Sequence, residues 1–525
     1  MPQAVDPQAL EIPFRTLGAA FADFAERHPD RTAIHSIDQN RSLDFAALKS
    51  LVDRTAGLMA GAGVRRGDRV AILCGECIEK LVLMFAAWRC GATACPFHAE
   101  IAPDHLASIL KTIDPAIVVW RAGDLDGAAL TRDLACPVIS FTDLNDTDGF
   151  FGSRDATPGA LPELGSEYGP ADEGCIFATS GTTDRPKCVV WDHLGLWLCG
   201  LSTIDFTGMT ADDRLLEYRT FSWLSPQIVT FMPFVSLGLT VVMAAGFSRT
   251  RFMDWVRDHR ITVAAGVPTV INMLLDEPVP FKRAEIASLR VMTASSAPLS
   301  PDRWRQFEAH YGVRLLQFYG ASEGGWLCGN RHDKFRIGTA GPPARHMDLA
   351  LLDPTGAVCG VGEEGEISIR GPQTAIASIT ADGEWRDRTG FRLIERERVG
   401  DLGMLDEDGF VTVTGRIKDV ILRGGVSVAP LEIDAAIMTH PAVNEAAVIG
   451  VPDPVWGEEI ACYVVAAEGA QVSVADILAH AGQTLPDFKR PRYVEFVQAL
   501  PKSDRGKVRR DDLRSLWSAT LPDCD

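Results

Sequence analysis

The chain has 525 residues, a net charge of −19, 46% hydrophobic and 23% charged residues. That length exceeds one ordinary core, so two or more domains are expected. The acidic balance excludes a nucleic-acid binder, which needs a basic face, and any bound polyphosphate must meet locally gathered basic residues. Met1 to Phe14 carry no basic residue, which excludes a signal peptide, and no run reaches the ~18 apolar residues of a membrane helix. The 12 cysteines are scattered and mostly lie in apolar runs, so they read as small core hydrophobes in a reducing cytoplasm. Cys74-Gly75-Glu76-Cys77 has metal or redox spacing, but no second pair completes a zinc site and His98 is the only histidine nearby.

In chain order, Arg69 to Leu73 reads as a buried strand, followed by a helix from about Glu79 to Cys90 that stops at Gly91. Ala116 to Trp120 and Pro137 to Ser140 are short strands. This alternation predicts an α/β fold whose large N-terminal domain holds helix-covered, largely parallel sheets. Asp143 to Gly174 lacks periodicity and reads as a long loop into an apolar strand, Cys175 to Ala178. Arg314 to Phe318 is another strand. The pattern restarts after Arg416. Strands near Glu445 to Val451 and Ala461 to Ala466, a helix from Val474 to about Gln483 and a strand at Tyr493 to Val497 follow. The expected division is residues 1–416 and a small, mobile α+β domain over residues 417–525, with a short hinge between them.

Thr179-Ser180-Gly181-Thr182-Thr183-Asp184-Arg185-Pro186-Lys187 crowds hydroxyls, a glycine and a lysine into one turn after a strand. Such a turn offers N–H groups, hydroxyls and an ammonium to a phosphate chain; an ordinary surface turn would be built alike. It is not a Walker P-loop. In Tyr319-Gly320-Ala321-Ser322-Glu323 a carboxylate stands at a strand end beside Gly324-Gly325, well placed to hold Mg²⁺ on a nucleotide phosphate. The other reading is a turn glutamate. Ser295-Ser296-Ala297, Gly400-Asp401-Leu402-Gly403 and Lys502 to Arg510 are weak signals singly, and the last could be a solvated basic tail.

Together these motifs resemble, in order and spacing, the adenylate-forming superfamily of acyl- and aryl-CoA ligases, luciferases and nonribosomal adenylation domains, and most closely its carboxylic acid–CoA ligases. The resemblance covers essentially the whole chain. It implies that Thr179, Ser180, Gly181, Thr182, Thr183 and Lys187 form the phosphate loop. Ser295, Ser296 and Ala297 become the small-residue segment beside adenine and acyl group. Tyr319 and Gly320 flank adenine, Ser322 keeps a threonine's hydroxyl, and Glu323 binds Mg²⁺. Asp401 and Arg416 hold ribose, and Lys418 is the hinge. Gly424 and Gly425 line a pantetheine tunnel, and Lys507 bridges substrate carboxylate and phosphate. ATP, Mg²⁺ and coenzyme A are the implied cofactors.

The implied chemistry joins a carboxylate to the α-phosphorus of ATP, expels pyrophosphate, then exchanges AMP for a thiol. Two anions meet in the first step, so fixed positive charge must dominate catalysis. No general base is needed there. Departures are Asp184 and Cys188 at usual glycine positions, Val426 and Ser427 after the double glycine, and Phe221-Ser222-Trp223 lacking a histidine. With no acid before Asp254 in that region, an α-amino acid is disfavoured. Trp223, Val267, Pro268 and Trp326 are expected as apolar walls, with Gln227 as a polar contact, for a medium-sized or aromatic acid. A stand-alone enzyme loading a separate carrier protein is the alternative. The acid, the oligomer and the pathway are not legible.

Overall fold

The computed structural model describes residues 5–98, 101, 103–124, 134–145, 149–152, 158–179, 187–380, 383–424, 426–467, 469–502 and 507–520. Two eight-stranded sheets, one four-stranded sheet and one five-stranded sheet make up its β-structure. The first sheet runs in the order Gly325–Gly329, Arg314–Ala321, Val291–Ala294, Val263–Ala264, Arg214–Glu217, Thr240–Met243, Thr32–Ser36, Arg41–Asp44. Its interior pairs are parallel and its two edges are antiparallel hairpins. The second eight-stranded sheet contains the expected strands, observed as Arg69–Leu73, Ile117–Arg121 and Val138–Phe141, parallel to one another. Its other half turns antiparallel at Glu173–Thr179 and Lys187–Asp192, the hairpin that carries the serine/threonine-rich turn.

Between the sheets lies the helix Ile78–Arg89, buried on every face. Its apolar run from Leu81 to Trp88 suits an interior position, and its buried Lys80 and Arg89 are ion-paired with Glu76 and Asp53. Phe85 stacks on Phe231 with centroids 4.5 Å apart and meets Phe21 edge-on at 5.0 Å. Cys74 and Cys77 lie in this core, 0% and 1% exposed. The described part of the long loop before Glu173 has one short 3-10 helix, Phe150–Gly152. It delivers Tyr168 flat onto His193, the ring centroids 3.5 Å apart. His193 opens the helix His193–Thr207, whose first turn is capped by Asp192 accepting from the Gly195 N–H at 2.8 Å.

The four-stranded antiparallel sheet, Asp348–Leu352, Glu364–Arg370, Glu397–Leu405 and Val411–Arg416, was not read from the sequence. Beyond it, Gly457–Ala466 pairs antiparallel with Val443–Asp453 and parallel with Tyr493–Phe496. Alternation decides its two faces. Ile460, Cys462 and Val464 meet the helices Pro430–Met438 and Val474–Thr484, while Ala461 and Tyr463 meet Leu513 of the last helix. Among the described residues no helix is long and apolar enough to cross a membrane.

Candidate active site

Strands Arg214–Glu217, Val263–Ala264, Val291–Ala294 and Arg314–Ala321 are parallel neighbours in register, so their carboxyl ends fall on one edge. The loops they release carry Phe221 to Trp223, Val267 and Pro268, Ser295 to Ala297, and Ser322 to Gly324. In open α/β sheets the crevice beyond that edge is where ligands bind. Backbones crowd there. A Cβ on Gly266 would stand 2.3 Å from the Thr293 carbonyl oxygen, and one on Gly320 would stand 2.3 Å from that of Gly325. Ser296 has φ +76°, a left-handed conformation that strains a side-chain-bearing residue. Ser295 Oγ is buried without a hydrogen-bond partner.

The Tyr319 to Glu323 segment sits where three sheets meet. The Tyr319 hydroxyl donates to Asp401 Oδ2 at 2.5 Å, across to the four-stranded sheet. There Asp401 faces Arg416 in register, with Arg416 Nε 3.2 Å from Asp401 Oδ1. Burial first, then the Asp401 charge, hold the Tyr319 phenol well above its usual range, so it stays a donor. From the second large sheet, Trp191 Nε1 donates to the Ser322 carbonyl at 3.2 Å. The Ala375 N–H donates to the Glu323 carbonyl at 2.8 Å. Glu323 itself is half-buried. Trp191 and Ala375 went unnoticed in the sequence because a carbonyl acceptor has no residue signature.

Thr179 pairs in register with Lys187 and closes the base of the serine/threonine-rich turn. Ser180, Gly181, Thr182, Thr183 and Asp184 lie outside the described residues. Cys188 enters the sheet instead of the turn: it is 2% exposed, opposite Ala178 and Ile379, and burial pushes its thiol up to about 12. Its departure from glycine is therefore a core substitution.

Of the expected pocket walls, Trp223 and Val267 are half-buried at the edge, and Pro268 starts the helix Pro268–Asp276. Gln227 is turned inward, 1% exposed, with its amide nitrogen donating to the Phe221 carbonyl. Trp326 is also inward, its Nε1 donating to Thr203 Oγ1 at 2.8 Å.

Lys418 lies in the short turn Ile417–Asp419, its Nζ 3.8 Å from Asp511 Oδ2 of the last helix. Asp419 reaches Arg514 at 3.5 Å, so the turn is tied to the C-terminal side. Lys507 is half-buried, and the loop residues just before it lie outside the described ones. Lys502 is ion-paired with Glu445 at 2.5 Å, not the solvated tail charge its sequence suggests. Gly424 has φ +60°, and a Cβ there would stand 2.6 Å from the Trp456 ring. Gly425 lies outside the described residues. Around Gly424 is a surface the sequence reading missed. Trp456 and Phe488 are 46% and 43% exposed. Arg423 lies over the Trp456 ring at 5.6 Å and donates to the Phe488 carbonyl at 3.0 Å.

Residues 21–377 match the family model described as AMP-binding enzyme, and residues 432–507 match the AMP-binding enzyme C-terminal domain. The chain belongs to the AMP-binding enzyme family. Among curated members of this family it is 31% identical over 504 residues to the sulfoacetate–CoA ligase of Cupriavidus necator, covering 95% of this chain and 97% of that one. It is 29% identical over 506 residues to a feruloyl-CoA synthase of an Amycolatopsis species, covering 93% and 96%. Among solved structures, ATP-bound MatB from Rhodopseudomonas palustris superposes with a TM-score of 0.85 at 30% identity, covering 95% of this chain and 99% of that one. AMP-binding enzymes of this branch join acids to CoA, and this chain is an AMP-forming acid–CoA ligase that works through an acyl adenylate.

Proposed function

We propose that the carboxyl-edge crevice adenylates a medium-sized or aromatic carboxylic acid and that free coenzyme A then takes the acyl group. The Tyr319–Asp401–Arg416 junction carries this reading, because it joins the crevice to a fixed carboxylate suited to a ribose diol. The carboxylate oxygen attacks the α-phosphorus and pyrophosphate leaves with the P–O electron pair. The thiol then attacks the acyl carbon and AMP leaves. Thr179, the turn after it, Lys187 and Lys507 neutralise phosphate charge. Lys418 is the hinge on which residues 417–525 turn between steps. Mg²⁺ suits the hard oxygens of Glu323 and Ser322. Among the described residues no three His, Cys, Asp or Glu gather to hold a metal alone, so the nucleotide phosphates would complete its shell. When bound, Mg²⁺ supplies charge neutralisation at the phosphates.

The exposed aromatics Trp456 and Phe488, linked by Arg423 beside Gly424, favour a nucleotide-bearing thiol over a carrier protein. Aromatic faces stack bases, and the Arg423 guanidinium, itself paired with Glu459 at 2.6 Å, holds the two rings in place. The unbridged described cysteines accord with a cytoplasmic location. The test is a thioester assay with purified enzyme, ATP and an acid panel, comparing free CoA with a phosphopantetheinylated carrier. CoA thioester with one AMP per turnover supports the reading; thioester on the carrier alone overturns the acceptor assignment. Loss of activity in EDTA, restored by Mg²⁺, checks the metal.

A further inference from the structure

The charges around the acyl side of the crevice are unusually complete in their pairing. The loops after the four parallel strands, residues 218–223, 265–267, 295–300 and 322–324, contain one cation, Arg219, and one acid, Glu323. A second cation, Lys80, reaches them from the helix Ile78–Arg89. Both cations are spent. Arg219 Nη2 and Nε donate to the two oxygens of Glu217 at 2.7 and 2.9 Å, and Nη1 donates to Ser225 Oγ at 2.8 Å. Glu217 also accepts from the Tyr218 and Arg219 N–H groups and from Thr230 Oγ1. Lys80 Nζ, in a fully buried side chain, donates to Glu76 Oε1 at 2.5 Å and to Ser222 Oγ at 2.8 Å. Glu76 accepts in turn from Thr220 Oγ1 at 2.5 Å and from the Phe221 N–H at 3.1 Å.

Two buried ion pairs therefore hold residues 217–222, and each leaves no net charge. The polar side-chain atoms buried without a partner in these loops are Tyr218 Oη and Ser295 Oγ, both neutral hydroxyls. What remains is the apolar surface of Trp223, Val267 and Pro268. Among the described residues of these loops and of the helix Ile78–Arg89, a second anionic group placed here would meet no unpaired cation, and an uncompensated buried charge is strongly unfavourable.

Resting on the acid–CoA ligase reading, we infer that the substrate is a monocarboxylic acid whose acyl group carries no second anionic group, and that the Glu217–Arg219 and Glu76–Lys80 pairs enforce this selection. The activated carboxylate is a separate matter, since its charge meets the phosphate-side groups. Within each pair the acid and the cation neutralise each other, so removing one acid should expose a cation.

The experiment compares matched acids: hexanoate with adipate, cinnamate with 4-carboxycinnamate, and acetate with sulfoacetate. Acid-dependent pyrophosphate release is read in the presence of CoA. The doubly charged member of each pair should show a kcat/KM lower by at least about 100-fold. In Glu76→Gln, Lys80 loses its counter-charge and that ratio should move toward the diacid by about 10-fold. Doubly charged acids used as well as or better than their partners by the wild-type enzyme overturn the inference and leave the ligase reading standing. A correctly folded Glu76→Gln with an unmoved ratio overturns the part given to that pair. Pyrophosphate release with an accepted acid but no CoA thioester formed overturns the ligase reading itself.

Discussion

Trp191 gives the most discriminating single substitution. Its indole N–H is the bond from the hairpin strand Lys187–Asp192 to the Ser322 carbonyl, 3.2 Å long. The ring is 0% exposed and lies near Gly325, where an added Cβ would come within 3.1 Å of it. Trp191→Phe keeps an aromatic ring in the core and deletes the donor. A buried neutral hydrogen bond is worth about 1 kcal/mol net, or about fivefold in an equilibrium. The smaller ring adds a cavity costing about 1–2 kcal/mol of stability. Given the proposed Mg²⁺ role of Glu323, the residue after Ser322, the loss should fall on adenylation. Acid-dependent pyrophosphate release should slow about five- to tenfold, and the Mg²⁺ concentration for half-maximal rate should rise about as much. Thioester formation from a supplied acyl adenylate and CoA should stay within about twofold. Glu323→Gln should shift the Mg²⁺ titration in the same sense and further. Equal slowing of both half-reactions in Trp191→Phe, or an unchanged Mg²⁺ titration in both variants, would refute the coupling.

Lys507→Ala should cut pyrophosphate release about 10²–10³-fold and spare conversion of supplied adenylate to thioester, with Arg509→Ala as the control that barely changes either; equal loss in both half-reactions contradicts domain alternation. Lys418→Pro fixes φ and removes a backbone donor at the turn, so adenylation should persist while thioester formation falls, and parallel loss of both would point to general damage. His193 answers to pH. Burial lowers its pKa to about 3, and its Nε2 has no partner. The unfolded chain takes up a proton below about 6.5 while the folded one stays neutral, so its contribution is intact above that pH and is lost as pH falls toward 3. The loss should approach about 1.4 kcal/mol per pH unit. Thermal unfolding measured from pH 7 to 5 should show this decline, and His193→Gln should flatten it; an identical slope in both proteins would rule it out.

Strands whose period and burial agree were legible nearly to the residue. Arg69 to Leu73 is observed as read, and the predicted helix after it runs Ile78–Arg89. The antiparallel sheet from Asp348 to Arg416 was not, because strands such as Glu397–Leu405 are half-exposed and charged, without a clean alternation. The motifs that carry the family resemblance were legible, since they are strings of residue types. Their geometry was not. Tyr319 reaches Asp401 across 82 positions of chain, a distance no local pattern spans. By position Trp326 reads as a pocket wall and Gln227 as a polar contact, but their polar atoms bond inward, to Thr203 and Phe221. The Lys80 and Arg219 pairs escaped notice because lone charges near a strand end read as solvated until their partners are seen.

The most direct test of the central claim follows an oxygen atom. An accepted acid labelled with ¹⁸O in its carboxylate is turned over with ATP, Mg²⁺ and CoA, and the AMP is analysed by mass. Attack of the carboxylate on the α-phosphorus predicts one ¹⁸O in each AMP released and none in pyrophosphate. Unlabelled AMP formed together with the CoA thioester, or label in the pyrophosphate, would contradict an acyl-adenylate mechanism.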